Sequence, residues 1–71
     1  MTILKSVKSS NVAEVGYDSA SRVLHVRYKD GSLYKYEDVP PEKHQALMAS
    51  ISKGKYLNAH IRYQHTYERI A

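Results

Sequence analysis

The run K-D-G-S-L-Y-K-Y-E-D-V-P, from Lys29 to Pro40, decides the fold. Tyr34 and Tyr36 stand two residues apart, so in an extended chain both rings lie on one face. An Asp-Gly turn precedes them and a Val-Pro break follows, which marks a strand entered through a hairpin. The length of that hairpin loop sorts the side chains. A two-residue turn at Asp30-Gly31 sets Tyr34 opposite Arg27 and mixes the tyrosines with Arg27 and His25. A three-residue loop, Lys29 to Gly31 with Gly31 at positive φ, sets Tyr28 opposite Ser32, Val26 opposite Tyr34 and Leu24 opposite Tyr36. A slip of one residue turns every side chain over, so the expected register is the one that collects Leu24, Val26, Tyr28, Tyr34 and Tyr36. His25, Arg27, Leu33 and Lys35 then occupy the other face.

Upstream, Val12 to Tyr17 alternates, with Ala13, Val15 and Tyr17 on one side. Asp18 to Ser21 is polar, and pairing Asp18 with Val23 sets Tyr17 opposite Leu24 and Val15 opposite Val26. The apolar faces agree, which predicts a three-stranded antiparallel meander. Gly16, inside the first strand, is expected to mark a bulge or a close approach by another element. Ser9-Ser10-Asn11 has the short polar side chains of a turn. Residues 1 to 11 read as an extended lead-in, with Ile3, Lys5 and Val7 alternating against Leu4, Ser6 and Lys8.

Downstream, Pro40-Pro41-Glu42 stops the strand and starts a helix, since proline suits a first turn and an acid suits the positive end of the dipole. His44, Leu47, Met48 and Ile51 recur at helical spacing and predict its buried stripe. Ser52-Lys53-Gly54 breaks that helix. A second short helix follows, with Tyr56, Leu57, His60 and Ile61 on its inner side and Lys55, Asn58 and Arg62 at its rim. In Tyr63 to Ala71, Tyr63, His65, Tyr67 and Arg69 alternate against Gln64, Thr66, Glu68 and Ile70. This tail is a continued helix or an edge strand, and the alternation favours the strand.

Seventy-one residues make a single domain, 1–71, that buries about 60% of the surface its unfolded chain exposes, which leaves no room for a deep substrate cavity. Seven tyrosines with no Phe or Trp mean that tyrosine supplies the aromatic packing, and each buried hydroxyl needs a partner. The chain has no cysteine, hence no disulfide framework, and its longest apolar run, Ala46 to Ala49, is far too short to span a membrane. These features predict a cytoplasmic protein that does not enter membranes.

The net charge of +4 is unevenly placed. Up to Glu42, six basic side chains cancel six acidic ones, whereas from Lys43 onward Lys43, Lys53, Lys55, Arg62 and Arg69 face Glu68 alone. An anionic partner is therefore expected at the C-terminal part. Lys53 and Lys55 flank the start of the second helix, where free amides favour an anion, although a plain helix break with solvated lysines explains the same residues. Asn58 and Arg62, four apart, share a helix face and can hold an anion or a base edge together; alternatively Asn58 bonds backbone and Arg62 caps a helix. Tyr34 and Tyr36 could stack unpaired bases, but their place beside Leu24 and Val26 assigns them to the core. Lys35 on the opposite face is then free for a partner. The four histidines show no ligand spacing, and there is no cysteine, no G-x-S-x-G and no carboxylate pair of obvious geometry, so neither a metal, nor a cofactor, nor catalysis is expected.

Four segments taken together resemble the KTSC domain family, named for its place at the C-terminus of some lysyl-tRNA synthetases. They are Val7-x-Ser9-Ser10-x-Val12, Val15-Gly16-Tyr17-Asp18, Gly31-x-x-Tyr34-x-Tyr36-x-x-Val39-Pro40 and Ser52-x-Gly54-x-Tyr56-x-Asn58-x-x-Ile61-Arg62. The likeness runs from about residue 7 to residue 70 and departs at Thr66, where the family often has proline. It implies a small module that also occurs alone in bacterial and phage proteins, with a role proposed in RNA binding and no catalytic assignment. The expected fold is α+β: a three-stranded antiparallel meander with two short helices packed on one face and room for an extra edge strand from a terminus. The expected function is a non-catalytic module binding nucleic acid, RNA first, through Lys35, Lys53, Lys55, Asn58 and Arg62. The alternative is a protein-interaction module docking on a larger machine such as a synthetase or an RNA polymerase.

Overall fold

In the computed structural model, which describes residues 4–71, the hairpin register is the one that gathers the apolar side chains. Val26 pairs with Tyr34 and Leu24 with Tyr36. The loop is three residues long, closed by Tyr28 N–H donating to the Ser32 carbonyl, and Gly31 sits at φ +93°. Asp30 tightens it by accepting from both the Ser32 N–H and the Ser32 hydroxyl. The preceding pairing also matches expectation, with Asp18 opposite Val23, Tyr17 opposite Leu24 and Val15 opposite Val26.

The sheet has five antiparallel strands rather than three, in the order β1 (Lys5–Ser6), β2 (Val12–Asp18), β3 (Val23–Tyr28), β4 (Leu33–Tyr36) and β5 (Tyr67–Arg69). The meander forms the middle, and each end of the chain adds an edge. The lead-in alternation is described from Leu4 onward, and Ile3 lies outside the described residues. The irregularity expected at Gly16 falls instead between Val12 and Glu14, and Gly16 pairs regularly with His25. One extra residue there lets Val12 and Val15, three apart, both face the core, each at most 2% exposed. Ala13 consequently drops out of the buried face, where simple alternation would put it.

Helix α1 (Pro41–Ala49) begins as expected, with Pro41 in its first turn and the Pro40 carbonyl accepting from Lys43 and His44. Its buried stripe is narrower than predicted. Leu47 is fully buried and His44 stacks on Tyr17 at 4.5 Å, but Met48 is 36% exposed and Ile51 is wholly exposed. The cause is the helix end. Ser50 turns extended and its hydroxyl caps the Leu47 carbonyl, so Ile51 never occupies a helical position.

Helix α2 (Lys53–Tyr56) runs directly into a π-helical turn, Leu57–Ile61. Leu57 and Ile61 are buried and Tyr56 packs against the core, but His60, predicted on the inner side, is exposed beside the Tyr56 ring. The nine buried apolar residues form one cluster: Val12, Val15, Leu24, Val26 and Tyr36 from the sheet, Val39, and Leu47, Leu57 and Ile61 from the helical side. Both helical segments therefore cover one sheet face. The other face is open and lined with the ion pairs Arg27–Glu14 and Lys35–Glu68.

The tail is tied back by a polar knot. Lys43 Nζ donates to the His60 carbonyl, to Gln64 Oε1 and to His65 Nε2, and the Glu37 N–H donates to the Thr66 carbonyl. An ammonium can only donate, so His65 Nε2 is the acceptor and its Nδ1–H donates to the Glu37 carbonyl at 3.0 Å. The chain thus leaves the π turn in a fixed direction and reaches β4 as a strand.

Candidate functional site

Strand β4 alternates, so Tyr34 and Tyr36 point to the helix-covered face. The β5 register, Tyr36 opposite Tyr67 and Tyr34 opposite Arg69, brings Tyr67 to the same side. Tyr28 joins them from the end of β3. The four rings form the floor of a cleft of about 360 Å³ between the hairpin end of the sheet and the second helical segment. Gly54, Asn58 and Arg62 make one wall, and Asn11, Lys29 and Asp30 the other.

The rings of the floor pack on one another. Tyr34 meets Tyr28 edge-on at 5.6 Å and Tyr67 at 6.1 Å, and Tyr36 meets Tyr67 at 5.8 Å. The Tyr28 and Tyr36 hydroxyls are hydrogen-bonded at 2.7 Å. Burial, then that hydrogen bond, pushes the Tyr36 phenol far above its ordinary range, and burial also raises Tyr28. Both therefore stay protonated, and since one O–H suffices for the bond, the other is left over. Exposure divides the rings by role: Tyr36 is 1% exposed and belongs to the core, whereas Tyr67 is 47% exposed and offers its ring. Tyr34, expected in the core, lies between, packed against the core yet lining the cleft.

The wall depends on the π turn. The Arg62 N–H reaches back five residues to the Leu57 carbonyl, at 2.6 Å, which widens the turn by one residue; such turns recur at functional sites. Arg62 Nη1 lies 3.4 Å from Asn58 Oδ1, and its guanidinium carbon is 5.6 Å from the centre of the Tyr63 ring. Both contacts are between exposed side chains, and they leave most of the guanidinium N–H groups open to solvent. Gly54 is buried against Asn11: a Cβ there would come within 3.3 Å of the Asn11 amide nitrogen. Opposite, the Ser32 hydroxyl and then the Ser32 N–H hold the Asp30 carboxyl below its usual range. Lys29 and Arg62 outweigh that single negative charge.

Of the residues singled out in the sequence, Asn58 and Arg62 meet in this cleft. Lys53 and Lys55 lie outside its lining; the Lys53 ammonium folds back toward the Ser50 carbonyl at 3.3 Å, and Lys55 is exposed. Lys35 is on the opposite sheet face, 3.8 Å from Glu68. Asn11, Lys29, Tyr28 and Tyr67 are lining residues that sequence reasoning did not assign to a site. The alternation of the tail was the signal for Tyr67. Among the described residues, no three His, Asp or Glu side chains gather as metal ligands, and no helix is long and apolar enough to cross a membrane.

The sequence profile of the KTSC domain matches residues 8–67, which span the three central strands, both helices and the whole cleft wall. The chain belongs to the KTSC domain family. It is 40% identical over 60 residues to an uncharacterised protein of Stutzerimonas stutzeri, covering 84% of each chain. The crystal structure of a KTSC domain protein from Yersinia pestis superposes with a TM-score of 0.96 at 28% identity, covering all of both chains. A lysine–tRNA ligase of Nostoc punctiforme is 27% identical over 64 residues, which are 90% of this chain and 11% of that protein.

Proposed function

We propose that this KTSC domain protein is a small, non-catalytic RNA-binding module acting in the cytoplasm, and that the tyrosine-lined cleft receives an unpaired nucleotide. The observation that carries the reading is the juxtaposition of an offered aromatic floor, Tyr34 and Tyr67, with a guanidinium and an amide on one wall. Aromatic side chains stack on any base, and stacking contributes about 1–3 kcal/mol per base, while Arg62 and Lys29 supply positive charge for the phosphates. Lys53 and Lys55 extend that charge along the helical side, so an RNA strand leaving the cleft would meet them next. Lys35 would not be reached by the same strand. The likeness to a segment of a lysine–tRNA ligase supports a partner from the translation apparatus.

Fluorescence anisotropy with labelled tRNA, single-stranded RNA and single-stranded DNA tests this. Micromolar binding that Tyr67→Ala weakens about tenfold supports the reading, given the usual cost of losing one stacked base. Indifference to all three probes would favour docking on a protein such as a synthetase or a polymerase instead.

A further inference from the structure

One wall of the cleft carries a negative charge where a polyanion would enter. Asp30 stands there beside Asn11 and Lys29, and the hairpin loop holds it through a single oxygen: Oδ1 accepts from the Ser32 N–H at 2.9 Å and from the Ser32 hydroxyl at 2.6 Å. Ser32 is itself buried, so the anchor belongs to the packed structure. Among the described residues no donor meets Asp30 Oδ2. An asparagine would close the loop as well, since its side-chain carbonyl can accept both bonds. The turn therefore leaves the second oxygen and its charge unexplained. Phosphate binding does not explain them either, because a carboxylate repels phosphate. What an ionised carboxylate can do is accept from a hydroxyl or an N–H of the ligand.

Resting on the proposed nucleotide-binding role, we infer that Asp30 accepts from a ribose 2′-hydroxyl and so makes the cleft select RNA over DNA. A base lying on Tyr34 and Tyr67 brings its sugar to the cleft margin, where Asp30 and Lys29 are neighbours in the loop. The sugar hydroxyl then meets the carboxylate and the phosphate meets the ammonium. Amino and imino donors change from base to base, whereas every ribonucleotide carries the 2′-hydroxyl and no deoxyribonucleotide does. The Ser32 bonds that hold the Asp30 carboxyl below its usual range keep it ionised, hence an acceptor only, at neutral pH.

The test is an anisotropy titration with three labelled uridine pentamers that share one base and differ at the sugar, carrying a 2′-hydroxyl, a 2′-hydrogen or a 2′-fluorine. Fluorine keeps the ribose pucker but cannot donate, which separates the hydrogen bond from sugar shape. The 2′-hydroxyl strand should bind about fivefold or more tighter than the other two, the scale of one hydrogen bond to an exposed ion. Asp30→Asn keeps an oxygen for the loop. Its lost charge should strengthen all three strands together, while the ratio between sugars falls to within about twofold. The fluorine comparison is made on the unaltered protein, so it decides the point even where the variant folds poorly. Equal binding of the three strands, each weakened by Tyr67→Ala, or a preference that survives Asp30→Asn, overturns ribose selection by Asp30 and leaves the cleft a nucleotide site. Binding of no strand, or binding that Tyr67→Ala leaves unchanged, overturns the nucleotide-binding cleft itself, and ribose selection with it.

Discussion

Tyr36 closes the core and founds the cleft with one side chain. Its ring is sealed among Leu24, Val26 and the helical residues, and its hydroxyl, which burial would otherwise strand, is bonded to Tyr28. Tyr36→Ala removes both, and should destabilise the fold by about 3 kcal/mol or more, read as a shift in urea midpoint. A loss below about 1 kcal/mol would be at odds with a buried ring. Gly31 governs the same register from the loop. Nothing stands within 4 Å of the Cβ it lacks, so a side chain there meets no steric wall, and only the φ of +93° opposes it. Gly31→Val should therefore lower thermal stability by about 1–2 kcal/mol despite the added apolar surface. These two positions also explain why the centre of the fold was legible in the sequence: the three-residue loop gathers Leu24, Val26, Tyr28, Tyr34 and Tyr36 on one face, whereas the two-residue turn mixes the tyrosines with Arg27 and His25.

At the scale of elements, legibility fades wherever a tertiary contact overrules a local pattern. The spacing of His44, Leu47, Met48 and Ile51 assumes a helix through residue 51, but the Ser50 cap ends it and leaves Ile51 outside. Alternation in β2 places Ala13 inside, but the bulge puts Val12 there. The π turn has no sequence signature, and the cleft wall depends on it. The tail was ambiguous because its strand character comes from pairing with β4 and from the knot around Lys43 and His65, which joins residues far apart in the chain. That knot makes a pH prediction. His65 is held below its ordinary 6.5 by burial and then by the Lys43 charge, with Glu37 and Asp38 opposing; burial also lowers His44, and burial followed by Lys35 lowers His25. As pH falls through 6.5 the unfolded chain takes up these protons before the folded one does. The histidine contribution is therefore complete above that pH and is lost below it. Asp18 and Asp30 are held below 3.8, so their contributions disappear only in stronger acid. The urea midpoint should be lower at about pH 5 than at about pH 7.5, and His65→Gln should reduce the difference. Equal midpoints at the two pH values would rule out the neutral-histidine knot.

For the whole molecule, the decisive feature is where charge remains available once the fold has used what it needs. Arg27 and Lys35 are paired with Glu14 and Glu68 across the open sheet face, and Lys43 is consumed by the tail knot. The cations around the cleft and along the helical side that meet no acid are Lys29, Arg62, Lys53 and Lys55; the Lys53 ammonium touches only the Ser50 carbonyl, and the last two lie in a stretch where acidic residues are scarce. If an RNA strand enters the cleft at Arg62 and continues along that side, Lys53→Ala with Lys55→Ala removes two phosphate contacts without touching the core. It should weaken RNA binding and lower the slope of log K against log salt by up to about 2 units, with stability changed by less than about 0.5 kcal/mol. Lys5→Ala with Lys8→Ala removes the same formal charge from the N-terminal segment, where acids balance bases, and should leave the slope nearly unchanged. Arg62→Ala should differ from both, because it takes away a groove-wall contact as well as a charge. Anisotropy titrations over a range of salt compare the three directly. Equal losses in the two lysine pairs would mean that RNA responds to net charge alone and that no path along the helical side exists.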